Sequence, residues 1–357
     1  MLPMKILHAA DLHLGTPFSG HSDAAVSMLK KAMATIPEQI VALCKQHDCD
    51  LLLLPGDLFD GHADAESLAN LKNALAQVKI PTFISPGNHD FCTPDSPWLT
   101  EIWPENVHIF TKPVIESVFL PELDCRIYGA GFIAMDCPPL LEHFRAEGTE
   151  TYHIGVLHGD PLQKNAPYNP MTRSQIAASG LDYLALGHLH TIGQFTAGRT
   201  LCAWPGSAMG RGNDETGDRG VYLVTLTDSA RADFIPLHVP RFYDLEAEVV
   251  STPAAALQAA LPPIGSNDFY RITLVGEAEP FVTAALRLPQ FPNLELRDQT
   301  LPEPDLWNSV GEDTLEGVFF RILQDNLSTE SQTLQRQIKL AARISRQILD
   351  GQEVTLP

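Results

Sequence analysis

No two of the six cysteines, at 44, 49, 92, 125, 137 and 202, stand in a C-x-x-C pair or in any regular framework. That excludes a thiolate zinc site and a disulfide-stapled secreted scaffold, and it predicts free thiols in a reducing, cytoplasmic setting. No run approaches the ~18 uncharged apolar residues of a membrane span, and the short apolar stretch after Lys5 is no secretory signal, so no membrane association is expected. Positive charge is scarce: 24 Lys and Arg face 44 Asp and Glu, for a net charge of −20. A surface of that sign has no general grip on nucleic acid, which needs a basic patch. It leaves room for an enzyme whose bound cations hold a phosphate. Internal repeats and low-complexity tracts are absent too. What is there is ordinary globular composition, 44% hydrophobic and 19% charged over 357 residues, enough for a large domain and one or two smaller ones.

Apolar runs at 5–10, 50–55 and 81–85 read as buried strands. Between them, 23–46 shows helical spacing with an interruption near Pro37, and 64–78 is helical again. This β-α-β-α-β alternation predicts a parallel sheet with helices on both faces. Further strands are expected at 106–110, 125–129, 153–157 and 183–187. Those at 200–204, 220–227 and 231–239 have no helices between them and read as a closing antiparallel meander near Pro240. Beyond it, 243–250, 269–275 and 293–297 read as strands, with helices at 253–260 and 280–287. Two more helices follow at 313–326 and 329–349. The domain boundaries expected are 1–240, 241–304 and 305–357.

Five apolar strands end at once in polar, metal-capable side chains: "AADLHLG" (9–15), "LLPGDLFD" (53–60), "ISPGNHD" (84–90), "GVLHGD" (155–160) and "LALGHLH" (184–190). In open α/β sheets, sites form at the carboxyl ends of strands, so these five ends would converge on one crevice. One histidine at a strand end is more often structural, but five such ends together point to a site. The donors are carboxylate, imidazole and one amide oxygen, without thiolate. That set suits Mn, with Fe or Zn as alternatives, and the donors are too many for one ion and about enough for two. A pair of divalent ions can hold a hydroxide between them and clamp a phosphoryl group, with Asp57 as the candidate bridge.

In order, "DLH", "GDLFD", "GNHD", "LHGD" and "GHLH" resemble the signature of the calcineurin-like metallophosphoesterases over residues 4–240. "ILHAADLHLGTPF" with "GDLFD" is similar to the bacterial SbcD-like DNA-repair nucleases, and "PGSAMGRGNDETGDRGVYLV" (205–224) looks closest to their YhaO-type branch. The resemblance implies a four-layer α/β/β/α sandwich with a small α+β capping-like domain and C-terminal helices. It implies that Asp11, His13 and His190 hold one metal, that Asp57 bridges, and that Asn88, His158 and His188 hold the second. His89 would be no ligand but would assist the leaving oxygen, with Asp90 orienting its ring; a turn-stabilising Asp90 is the alternative. Asp60 stands where archaeal and eukaryotic relatives carry His, so that histidine's role does not transfer; His62, close by, reads as a solvated residue.

DNA is the substrate this resemblance implies, with hydrolysis as an exonuclease or endonuclease subunit. A small-molecule or cyclic-nucleotide phosphodiesterase is the competing reading, and a metal-dead scaffold is disfavoured because every ligand position is filled. SbcD-like subunits work with a coiled-coil SbcC-like ATPase, and a homodimer is left open. In the last helix, Leu334, Ile338, Ala341 and Ile348 form an apolar stripe, and Arg336, Lys339, Arg343 and Arg346 share one basic face. That face is either solvated or a contact to DNA or to the ATPase.

Overall fold

The computed structural model describes residues 3–278, 281, 283–286, 288, 290–302, 306–327, 331–351 and 354; the side chains of 284, 285, 302, 332, 333 and 336 lie outside that description. The first half runs β1 (Met4–His8), α1 (Asp23–Ala34), α2 (Ile36–Gln46), β2 (Leu51–Leu54), α3 (Ala65–Val78), β3 (Thr82–Ile84), the short α4 (Pro97–Thr100) and β4 (Val107–Ile109). Next come β5 (Glu116–Leu120), β6 (Cys125–Gly129), β7 (Tyr152–His158), α5 (Arg173–Ala178), β8 (Tyr183–Gly187), β9 (Gly193–Ala197) and β10 (Thr200–Trp204). The hairpin β11 (Gly220–Leu226) and β12 (Ala230–Pro236) follows.

Two six-stranded mixed sheets result, in orders β12-β11-β1-β2-β3-β4 and β5-β6-β7-β8-β10-β9. They pack face to face. In "LLLL", Leu51 and Leu53 join Ile6 and Phe83 against Ile127, Ile154, Val156 and Tyr183 of the second sheet. Leu52 and Leu54 point the other way, into the core under α1, α2 and α3. This is the period-2 alternation of a strand buried on both faces. On the far side of the second sheet, Leu157, Leu184 and Leu186 pack with Ile176 of α5. The layers are therefore α/β/β/α, and helices on both faces of one parallel sheet are not found. The covering layer on the inner side is a second sheet. The expected meander is also divided: β10 pairs with β8 and β9, while β11 pairs with β1 and β12 with β11.

The 23–46 helix is two helices. Pro37 has no N–H to give, which suits the first turn of α2, and Thr35 separates the pair. Strands β5 and β9 and helix α5 were not expected; β5 and β9 alternate between exposed and at least half-buried residues and carry no continuous apolar run. Thr172 caps α5 in a reciprocal capping box with Gln175. All six cysteines are free and buried.

The chain divides into two compact units. The first comprises Met1–Asp244, Gly265–Tyr270 and Phe291–Asn293; the second comprises Leu245–Ile264, Arg271–Gln290 and Leu294–Pro357. The remaining elements are β13 (Phe242–Val249), α6 (Pro253–Ala260), β14 (Phe269–Ala278), β15 (Leu294–Asp298), β16 (Leu301–Pro302), α7 (Leu315–Leu327) and α8 (Gln332–Leu349). A third sheet runs β13-β14-β15 with β16 beside β14. Of the helix expected over 280–287, Thr283–Leu286 is a 3-10 turn, while 280, 282 and 287 lie outside the described residues. In α8 the packed residue is Ala342, whereas Ile348 is 61% exposed, so the expected apolar stripe is not the buried face. Arg343 pairs with Glu277, and Arg346 pairs with Glu316 and stacks on Phe320. The side chain of Arg336 lies outside the described residues.

Candidate metal centre

All five strand ends meet. The seven expected donors form a closed chain of contacts at the carboxyl ends of β1, β2, β3, β7 and β8. His190 Nε2 lies 3.1 Å from His13 Nε2. His13 Nε2 lies 3.9 Å from Asp57 Oδ2, which lies 3.5 Å from His158 Nε2. Asn88 Oδ1 sits 2.9 Å from His158 Nε2 and 3.1 Å from His188 Nδ1. Asp11 accepts from the backbone N of His188 at 2.9 Å and closes the circuit through its cluster with His13 and His190. Three subsets bring one donor atom per residue within 4.8 Å of one another: Asp11, His13 and His190; Asp11, Asp57 and His158; and His13, Asp57 and His89.

The backbone is bent to aim these groups. Asp11, His13, Asp57 and His188 all have positive φ, at 50°, 46°, 50° and 98°. Such conformations are rare outside glycine and are retained where surrounding structure enforces them. Glycine appears where the approach is closest. A Cβ on Gly87 would lie 2.3 Å from Asp57 Oδ1, and one on Gly56 would lie 2.5 Å from His158 Nδ1.

Each ring is set by the partner of its other nitrogen. His158 Nδ1 donates to the Pro55 carbonyl at 3.0 Å, which leaves the Nε2 lone pair toward Asp57 and Asn88. His190 Nδ1 lies 2.7 Å from Glu215 Oε1, which likewise frees its Nε2. His13 Nδ1 is buried without a hydrogen-bond partner, 3.6 Å from Asp60. Burial pulls His13 and His188 down to about 4, so both rings are neutral at pH 7.

Charge is the unbalanced element. Burial, then the charge of Asp57, pushes the Asp11 carboxyl well above its ordinary range. Burial acts on Asp57 in the same direction, but His158, His13 and His89 outweigh it and hold that carboxyl low. Two buried carboxylates this close do not both ionise without a nearby cation.

His89 differs from the donors. Its ring is 40% exposed, and its backbone N donates to Asp57 Oδ1 at 2.9 Å. The carboxylate on its ring is Asp60, 3.1 Å from Nδ1. Asp90 does not orient the ring. Its oxygens accept from the backbone N of Gly87 at 2.7 Å, Leu58 at 2.7 Å and Phe59 at 3.3 Å. Asp90 therefore ties the turn after β3 to the turn after β2, and burial pushes its carboxyl up to about 7. Asp160 of "LHGD" also stabilises a turn, through Leu162 N and Gln163 N. His62 is exposed.

Residues 4–191, more than half of the chain, match the calcineurin-like phosphoesterase family. The chain belongs to this family. It is 33% identical over 239 residues to a Bacillus subtilis strain 168 protein named "Uncharacterized metallophosphoesterase YhaO". That match covers 63% of the chain and 58% of the relative, so the chain spans under two thirds of that protein's length. Among solved structures, a dimetal phosphatase from Danio rerio is 12% identical, with a TM-score of 0.41 over 62% of this chain and 95% of that one. A Thermus thermophilus protein is 14% identical, with a TM-score of 0.39 over 62% of this chain and 98% of that one.

The family's divalent ions fit these residues. Facing Nε2 lone pairs, an amide oxygen shared by two rings and two buried carboxylates form a hard-to-borderline donor set. Glu215, Arg211 and Asp60 were not assigned a role from sequence. They reach the site through a loop 25 residues beyond His190 and through the second turn of "GDLFD". The available signal was that a ligating imidazole needs an acceptor for its other nitrogen, but nothing local names that acceptor.

Proposed function

We propose that the chain hydrolyses phosphodiester bonds of DNA at a two-metal centre, with Mn2+ as the working ion. The observation that carries the reading is Asp57, a carboxylate in reach of both His13 and His158 and thus common to two donor clusters. Asp11, His13 and His190 would hold one ion, Asn88, His158 and His188 the other, and Asp57 both. Bound there, the ions supply Lewis-acid polarisation of a phosphoryl oxygen and a nucleophile at neutral pH. The chain's own part is positional. Asp90 braces the two turns that carry Asp57 and Asn88. Asp60 accepts from His89 Nδ1 and so orients the ring, whose Nε2 gives a proton to the leaving oxygen when the ring carries both of its protons.

DNA as the substrate, and an SbcC-like ATPase as the partner, rest on the SbcD-like resemblance. Arg343 and Arg346 are engaged within the chain, so a docking face on α8 loses support. The apolar face of α7 supports it better: Leu315, Val318, Phe319 and Ile322 recur at helical spacing, and each is at least 41% exposed. The net charge of −20 favours a second reading, a small phosphodiester such as a cyclic nucleotide. No helix among the described residues is long and apolar enough to cross a membrane.

One assay separates the two. Purified protein with Mn2+ is offered linear DNA, circular single-stranded DNA, bis-p-nitrophenyl phosphate and cyclic nucleotides. DNA cleavage is the expected result. Hydrolysis of the small diesters alone, with the partner ATPase present, would end the nuclease reading.

A further inference from the structure

Arg211 is a cation at the edge of the centre, in the loop after β10. Glu215 holds it by accepting from its backbone N at 3.2 Å, its Nε at 3.3 Å and its Nη2 at 3.1 Å. Its Nη1 lies 3.7 Å from Asp60 Oδ1, close enough for charge attraction but too far for a hydrogen bond. Both Nη1 hydrogens therefore lack an acceptor among the described residues. His89 Nδ1 contacts the same Asp60 oxygen at 3.1 Å, so the guanidinium and the His89 ring flank one atom. Both are partly open, at 21% for Arg211 and 40% for His89, while His13 and His158 are closed off.

Nη2 also lies 3.0 Å from His190 Nδ1. With Nε2 of that ring free for a ligand, Nδ1 carries the hydrogen given to Glu215 and cannot accept another. The guanidinium thus keeps unmet donors beside the proposed proton donor. Arg219, the loop's other arginine, is buried and donates to the His190 carbonyl, Ser207 Oγ and the Thr216 carbonyl. It is structural. A guanidinium presents donors in a planar fork that matches phosphoryl oxygens.

We propose that Arg211 is a substrate-binding residue: its free guanidinium hydrogens take a non-bridging oxygen of the phosphoryl group whose leaving oxygen His89 serves. This rests on the phosphodiesterase reading above. Glu215 then has two tasks, setting the His190 tautomer and holding Arg211 in place, which reduces the ordering cost on binding.

The test compares wild type, Arg211→Gln and Arg211→Lys, each loaded with Mn2+. Metal content is measured by elemental analysis, inorganic phosphate affinity by calorimetry, and kcat and KM on bis-p-nitrophenyl phosphate. Arg211→Gln should keep the wild-type metal content while the Kd for phosphate and the KM rise about ten- to a hundredfold, the range for losing one charge-assisted hydrogen bond. Arg211→Lys should recover part of both. Unchanged phosphate affinity in Arg211→Gln would overturn the proposal. So would metal loss in step with weaker binding, because Arg211 would then act through Glu215 and His190. Wild type that binds no phosphate would overturn it as well. Phosphate binding that needs Arg211, without hydrolysis of any diester, would support the proposal and sink the phosphodiesterase reading.

Discussion

The strands of the first sheet end in Asp11, His13, Asp57, Asn88 and His89, whereas those of the second end in His158, His188 and His190. All the buried negative charge of the donor circuit thus arrives from one side, on turns where Asp11, His13 and Asp57 adopt positive φ. The other side delivers only imidazoles, with His158 and His190 set by the Pro55 carbonyl and Glu215. The difference assigns the two sheets separate work. The first creates an electrostatic demand that the folded chain alone does not meet. The second adds imidazoles, which bring no negative charge to the site.

The sharpest way to break this contrast is to neutralise one side at a time. Asp57→Asn should lose metal and at least about a thousandfold in hydrolysis, since one residue serves both clusters. In chelator, Asp11→Asn should melt at or above wild type, because Asp11 is the carboxyl that burial and the charge of Asp57 push up. His158→Ala should lose metal without that gain. If metal-free Asp11→Asn melts below metal-free His158→Ala, the contrast between the sheets is wrong.

The next effect in size concerns His89, the first-sheet residue kept apart from the circuit. His89→Ala should retain wild-type metal content by elemental analysis while hydrolysis falls roughly 10²–10⁴-fold. Asp60→Asn should reproduce a fraction of that loss, also with metal retained. Metal loss in His89→Ala would make this residue a donor, as its place in one of the three clusters allows.

On the second sheet, Glu215→Gln should weaken metal binding about 10–100-fold in a chelator competition, the usual effect of removing the acceptor behind a ligating imidazole. An unchanged competition curve would mean that His190 does not need Glu215.

The smallest effect tests the joint between the sheets. His8 of β1 accepts from Tyr183 Oη at 2.7 Å and donates to the Leu186 carbonyl at 3.1 Å, both on β8. Burial pulls its imidazole down to about 3. Below pH 6.5 the unfolded chain takes a proton that the folded chain refuses, so stability falls as pH drops toward 3. Between pH 7.5 and 5.5 wild type should lose about 1 kcal/mol more than His8→Gln in urea unfolding. Parallel losses would show that His8 does not titrate on unfolding.

Much of the fold was legible because its signals are local. The apolar run "LLLL" and the breakers in "SPGNHD" mark a buried strand and a sharp turn without reference to anything distant. The partner layers were not legible. β7, β8 and β10 carry the same apolar runs as β1, β2 and β3, and nothing within a run says which sheet it joins. That is why 200–204 was grouped with 220–239, although β10 belongs to the second sheet and β11 to the first.

The candidate site divides in the same way. Which side chains stand at strand ends could be read locally, because that depends on spacing along a few residues. The donor types could be read as well, because ligand chemistry belongs to the residue type. It takes the folded chain to bring Asp60 rather than Asp90 to the His89 ring, Glu215 behind His190, and Arg211 beside both. Those pairings join residues up to 151 positions apart, as with Asp60 and Arg211. Their distances are set by how two sheets pack on each other, a property that no short stretch of chain contains.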